Sequence, residues 1–63
     1  MPVKVREAIR IVEADGWYRI GTKGDHRQYK HPTKPGKVTI PGAPGEELPP
    51  GTWNSIKRQA GLK

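Results

Sequence analysis

An apolar stripe near the start of the chain places the strongest constraint on its fold. Four residues spaced i, i+3, i+4 and i+7 form the stripe: Val5, Ala8, Ile9 and Val12. Charged residues separate them, which is typical of an amphipathic helix and not of a disordered segment. We expect this helix over about residues 3–15, with Gly16 just past its end and Trp17 folded back on its last turn. Because 63 residues bury only a small core, the stripe must pack within one domain spanning residues 1–63.

Three segments rich in β-forming residues follow the helix. They cover about Trp17–Thr22, His26–His31 and Lys37–Ile40, with glycine and proline between them. Such short connections predict an antiparallel meander. Residues 42–48 are predicted to form a surface loop, and a second helix is predicted from Pro50, with Gly61 just past its end.

The element order α-β-β-β-α predicts an α+β fold of two layers. A three-stranded antiparallel sheet would carry both helices on one face and leave the other face open. Alternation along the strands predicts that five side chains face the helices: Tyr18, Ile20, Tyr29, Val38 and Ile40. It predicts that six face outward: Arg19, His26, Gln28, Lys30, Lys37 and Thr39. The open face is therefore expected to be basic and free of acidic residues.

The composition of the chain favours a polyanionic partner and argues against several other classes of function. Twelve Lys and Arg against six Asp and Glu give a net charge of +6, which points first to nucleic acid. The chain has no cysteine and two histidines, so we expect no metal site, and no glycine-rich segment has the spacing of an ATP-binding loop. It also lacks a long apolar run and a secretory signal, so we expect a soluble cytoplasmic protein without a membrane partner or a small-molecule cofactor.

His26 is the candidate catalytic residue. Imidazole titrates near neutrality and can exchange a proton with a 2′-hydroxyl or a leaving 5′-oxygen, while Lys23 and Lys30 hold the phosphate. On the residues alone, a turn histidine without chemistry is the favoured interpretation. His31 and Arg27 are weaker candidates, because strand alternation places both on the face opposite His26.

Six motifs, in order and at matching spacings over nearly the whole chain, resemble the HicA toxin family. They are Asp15-Gly16-Trp17, Lys23-Gly24-Asp25-His26-Arg27, Tyr29-Lys30-His31-Pro32, Val38-Thr39-Ile40-Pro41, Glu47-Leu48, and Pro50-Gly51-Thr52 through Ile56 to Gln59-Ala60-Gly61-Leu62. The resemblance implies a fold like that of double-stranded-RNA-binding domains and the activity of an mRNA interferase in a type II toxin-antitoxin system that acts under stress. It also implies a cognate HicB antitoxin that covers the active site.

The resemblance assigns the catalytic role to the histidine of the motif Gly24-Asp25-His26. The family usually has serine or threonine where this chain has Asp25. A carboxylate there would repel the scissile phosphate, and it could also hold the imidazole. Gly24 and Asp25 are therefore expected to modulate the site.

Three hypotheses follow. The first is a metal-independent endoribonuclease that acts on mRNA, with His26 as general acid or base. Its RNA-binding residues would be Lys23, Lys30, Lys37, Arg19 and Gln28. The second is a non-catalytic RNA-binding module that uses the same basic face. The third is an interaction protein whose partner is an acidic regulator.

Overall fold

The computed structural model describes residues 3–62 and confirms the α+β architecture. Its elements are β1 Val3–Lys4, α1 Val5–Ala14, β2 Tyr18–Lys23, β3 His26–Lys30, β4 Val38–Ile40, β5 Glu47–Leu48 and α2 Pro50–Gln59. The three central strands form an antiparallel sheet in the order β2-β3-β4. Both helices contribute to one core cluster with this sheet. Neither helix of the described residues is long and apolar enough to cross a membrane.

The start of the first helix differs from the expectation. Val3 and Lys4 form β1, which pairs antiparallel with β5 in the segment expected to be a loop. The helix begins only at Val5, where the carboxylate of Glu7 accepts a hydrogen bond from the backbone N–H of Lys4 at 3.2 Å. Two strands of two residues have no detectable period, and their pairing joins segments more than 40 residues apart, so the sequence pattern did not indicate it.

The core is a single apolar cluster between the helices and the sheet. Its fully buried members from the helices are Val5, Ala8, Val12 and Ile56, and those from the sheet are Tyr29, Val38 and Ile40. Leu48 of β5 and Ala60 after α2 complete it together with Trp17. The i, i+3, i+7 positions of the first helix are buried as the stripe predicts, and Ile9 packs at the edge of the cluster.

Both helices end in the same glycine motif. The N–H of Trp17 donates to the carbonyl of Val12 at 3.1 Å, and the N–H of Leu62 donates to the carbonyl of Lys57 at 2.8 Å. In each case the preceding glycine has a positive φ, +105° at Gly16 and +69° at position 61. The expected return of Trp17 onto the first helix is therefore confirmed, and its side chain is buried.

A polar group, which we call the helix-end cluster, joins the two helix ends; it consists of Asp15, Trp17, His31, Lys34 and the carbonyl of Ala60. Oδ2 of Asp15 accepts from Trp17 Nε1 at 3.2 Å and from Lys34 Nζ at 2.5 Å. The same ammonium donates to the carbonyl of Ala60 at 3.2 Å, where it also meets the negative end of the α2 dipole. Hydrogen bonding to Lys34 lowers the pKa of Asp15 below its ordinary value of 3.8.

His31 contributes both of its ring nitrogens to this cluster. Its Nδ1 accepts from the backbone N–H groups of Thr33 and Lys34, each at 3.1 Å, so this nitrogen carries a lone pair. The proton therefore lies on Nε2, which donates to the carbonyl of Asp15 at 2.8 Å. The ring also packs edge-on against Trp17, with centroids 5.2 Å apart. His31 thus has a structural role at the end of β3.

The register of β2 corrects the predicted face assignment. Arg19 pairs with buried Tyr29, and Tyr18 pairs with Lys30, so Arg19 lies on the helix side and Tyr18 on the open side. The prediction for these two residues, and with it the placement of Arg19 on the basic face, is wrong. Ile20 sits in a bulge between Arg19 and Gly21 that breaks the alternation, and it is 46% exposed. A bulge leaves no signal in a pattern that assumes a strict period of two.

The Gly16 backbone offers a test of how the helix-end cluster stabilises the fold. A Cβ at this position would lie 2.7 Å from Nε2 of His31, in addition to the strain of its positive φ. Gly36 has a φ of +83° and open space around it, so Gly36→Ala measures the backbone strain alone. We expect Gly16→Ala to lower the free energy of unfolding by about 2 kcal/mol and Gly36→Ala by about 1 kcal/mol, measured by urea denaturation. Equal losses would show that contact with His31 is unimportant.

Candidate functional site

The β2-β3 hairpin presents the candidate side chains on the open face of the sheet. Cross-strand pairing places Lys23 directly opposite His26, and Gln28 opposite both Gly21 and Thr39. Side chains directly opposite each other share one face, with Cβ atoms roughly 5 Å apart. Four of the predicted site residues therefore lie on one face: Lys23, His26, Gln28 and Lys30. Only Gln28 of these four is partly buried, and the other three are exposed.

The two remaining RNA-binding candidates, Lys37 and Arg19, do not lie among the strand residues of the open face. Lys37 is exposed and lies one residue before β4, beside the face. Arg19 lies on the side of Tyr29. Burial raises the pKa of the Tyr29 hydroxyl, and the charges of Glu13 on α1 and of Arg19 also act on it, which fits Arg19 on the helix side. The cationic set on the open face is thus smaller than the sequence suggested.

A two-residue turn places Asp25 beside His26. Gly24 takes a φ of +61° at the first central position, as a type II′ hairpin turn requires, and Asp25 follows with an ordinary negative φ. This turn closes the ladder at the Lys23 and His26 pair. Gly24 is therefore needed to bring Lys23, Asp25 and His26 together at the hairpin tip.

The carboxylate of Asp25 lies beside the imidazole of His26. Oδ1 of Asp25 lies 3.0 Å from Nδ1 of His26, and the two side chains are 66% and 55% exposed. The negative carboxylate beside Nδ1 favours the neutral tautomer that carries its proton on that nitrogen. Nε2 is then the nitrogen left to exchange protons with a ligand on the open face.

Arg27 supports the hairpin tip from the opposite side of the sheet. Its register with buried Ile40 confirms that it faces away from His26. Its Nη1 donates to the carbonyl of Gly42 at 2.6 Å, and the N–H of Gly42 donates to the carbonyl of Asp25 at 2.9 Å. The loop after β4 is thereby tied to the turn that carries the pair. This supporting role was not apparent from the sequence, because 15 residues separate Arg27 from Gly42.

An acidic cleft adjoins the other side of Asp25. Its volume is about 390 Å³, and its lining includes Asp25, Glu46 and Glu47, together with the apolar side chains of Val5 and Leu48. Glu46 also accepts from the N–H of Ala43 at 2.6 Å. The surface charge therefore changes sign at Asp25, from the basic hairpin face to the acidic cleft. Within residues 3–62 no three His, Asp or Glu side chains are grouped as metal ligands.

Comparison with known proteins agrees with the motifs. No curated protein matches the chain. A family model described as "HicA toxin of bacterial toxin-antitoxin" matches residues 5–62, which include both helices, the three-stranded sheet and the hairpin with His26. This match covers nearly all of the 63 residues and agrees with the family that the ordered motifs indicate. The chain therefore belongs to the HicA toxin family.

Proposed function

We propose that this protein is a metal-independent mRNA interferase, an endoribonuclease in which His26 exchanges protons with the RNA. Membership in the HicA family supports a toxin role and implies a cognate HicB-type antitoxin as its partner. The observation that carries the proposal is the Asp25 and His26 pair, exposed at the end of a basic face and opposite Lys23. It combines an exposed imidazole next to a carboxylate with cations suited to phosphate.

The reaction needs no nucleophile from the protein. Nε2 of His26 accepts the proton of the ribose 2′-hydroxyl, and the 2′-oxygen attacks the adjacent phosphorus. The bond from phosphorus to the 5′-oxygen then breaks, and this oxygen takes a proton from the imidazolium or from water. The products are a 2′,3′-cyclic phosphate end and a 5′-hydroxyl end. Requirement for the 2′-hydroxyl makes RNA, and not DNA, the substrate.

The cations of the face hold the RNA backbone and offset the charge that develops at the phosphorus. Lys23 is the nearest in register, directly opposite His26, and Lys30 lies four residues along β3 on the same face. Lys37 extends the positive surface beside β4. Gln28, between His26 and Lys30, can donate from its amide to a phosphate or sugar oxygen. Such fixed charges contribute most when they are in place before the reaction starts.

Replacing His26 by alanine tests the proton-transfer role. We expect His26→Ala to slow cleavage of single-stranded RNA by roughly 10²- to 10⁴-fold while folding and most RNA affinity remain, because the lysines are unchanged. His31→Gln is the matched control, since it alters the other histidine and keeps an N–H donor for the Asp15 carbonyl. Gel assays in EDTA measure the rates, and the parent should be fully active there. Cleavage by His26→Ala at the parent rate would refute the proposal, and RNA binding without cleavage by the parent would favour the non-catalytic module.

Two substitutions at Asp25 separate its charge from its ability to accept a hydrogen bond from His26. Asp25→Asn and Asp25→Ala both remove the carboxylate charge, so each should raise RNA affinity at low salt by about threefold, with the gain lost at high salt. Only asparagine keeps an acceptor for Nδ1 of His26. We therefore expect Asp25→Ala, but not Asp25→Asn, to lower the cleavage rate at saturating RNA by about tenfold. Equal cleavage rates for the two variants would show that Asp25 does not position the imidazole of His26.

Charge reversals on the two sides of the sheet test which face binds RNA. Lys30→Glu should lower the slope of log affinity against log salt by about one unit, as expected for the loss of one phosphate contact. Arg19→Glu makes the same change in charge on the helix side and should leave the slope nearly unchanged. Fluorescence anisotropy with a labelled, uncleavable 2′-deoxy oligonucleotide between 50 and 200 mM salt, roughly the range over which phosphate contacts are resolved, gives both slopes. A larger effect of Arg19→Glu would place the RNA on the other face.

A further inference from the structure

The two edges of the central sheet differ in how their backbone groups are satisfied. On β4, the outward N–H of Thr39 donates to Oε1 of Gln59 on α2 at 3.0 Å, so a helix side chain covers this edge. On the other side, β2 pairs only with β3 among the described residues, and all six of its residues are exposed. An exposed edge strand carries unpaired donors and acceptors that can bind another strand.

The register identifies the backbone groups that face the open edge. Because Thr39 directs its N–H away from β3, the Gln28 and Thr39 pair is of the type without mutual hydrogen bonds. Gln28 therefore bonds with Gly21 of β2, and the next pair, Thr22 with Arg27, again lacks mutual bonds. The N–H and the carbonyl of Thr22 consequently point out of the sheet, beside the hairpin tip.

The same edge carries large apolar side chains in contact with water. Three large hydrophobic residues in the described part of the chain are exposed, and β2 contributes two of them, Tyr18 at 49% and Ile20 at 46%. In this small and hydrophilic chain, with a mean hydropathy of −0.86, such exposure on one strand is unusual. A strand that binds along β2 would cover both side chains and satisfy the backbone of Thr22.

The charges along β2 decide what kind of strand fits. Arg19 and Lys23 lie on β2, Lys30 lies directly opposite Tyr18, and β2 contains no acidic residue. A second copy of this chain would bring its own positive β2 alongside, and like charges on paired strands are destabilising. We propose that the open edge of β2 docks an extended, acidic segment of a partner protein, which adds to the sheet as a fourth strand beside β2.

A pair of synthetic peptides tests this docking directly. One is a ten-residue peptide with blocked ends that alternates glutamate and valine, and the other has the same charge but proline in place of its central valines. We expect only the first to shift the Thr22 amide signal in a ¹⁵N NMR titration and to slow hydrogen exchange there. Equal binding of the two peptides would reduce the interaction to non-specific charge attraction and overturn the proposal.

Substitutions at Thr22 isolate the backbone donor. Thr22→Pro removes the outward N–H, and proline is tolerated on an edge strand when its nitrogen faces solvent. Thr22→Val keeps the N–H and is the matched control. We expect Thr22→Pro to weaken binding of the alternating peptide by about tenfold and Thr22→Val to leave it unchanged.

Ile20→Ser is a second test that remains usable if the Thr22→Pro variant does not fold. This substitution removes only an apolar contact, and we expect it to weaken binding of the alternating peptide as well. The proposal would be overturned if a folded Thr22→Pro variant or the Ile20→Ser variant bound the alternating peptide as tightly as the parent does. It would also be overturned if sedimentation showed that the parent is a dimer and that Thr22→Pro or Ile20→Ser makes it a monomer. These measurements need no RNA. Failure of the docking proposal is therefore distinguishable from failure of the ribonuclease proposal, which the cleavage assay decides.

Discussion

The carboxylate and carbonyl of Asp15 form the junction on which the rest of the structure depends. Through Lys34 this residue connects the end of α1 to the carbonyl of Ala60 at the end of α2, and through His31 it connects both to the end of β3. Gly16 permits the junction, since any Cβ there would meet the imidazole. These polar contacts add to the small apolar core in fixing the positions of the two helices relative to the end of β3.

The candidate site lies at the opposite end of β3 from this junction. His31 directly follows the strand and has both ring nitrogens hydrogen-bonded, whereas His26 begins the strand and has no hydrogen bond to Nε2 within residues 3–62. The strand thus separates a histidine with a structural role from the histidine that we propose to be reactive. Arg27 holds the hairpin tip from the core side of the sheet, and His26 faces outward on the other side. Rigid support beneath an exposed side chain is what proton transfer at a defined atom requires.

The proposed RNA face and the proposed docking edge meet along β2. Lys23 faces the open side of the sheet, and the backbone of its neighbour Thr22 points to the edge. A partner strand on that edge would bring its acidic side chains close to Lys23 and to His26 opposite it. Competition between an acidic segment and RNA phosphates for one set of cations would then couple partner binding to inhibition. The acidic cleft beyond Asp25 would limit the proposed RNA path on its other side.

Local features of the sequence were sufficient to predict much of the fold and the candidate histidine. The stripe around Val5 and Val12, the glycines that end both helices, and the ordered motifs around His26 predicted the helices, the meander, the family and the candidate histidine, because each depends on neighbours within a few residues. Only the tertiary structure decided the pairing of β1 with β5, the bulge that moved Arg19 off the basic face, and the contact of Arg27 with Gly42. These features depend on register and on contacts between residues far apart in the chain, for which a periodic pattern carries no signal.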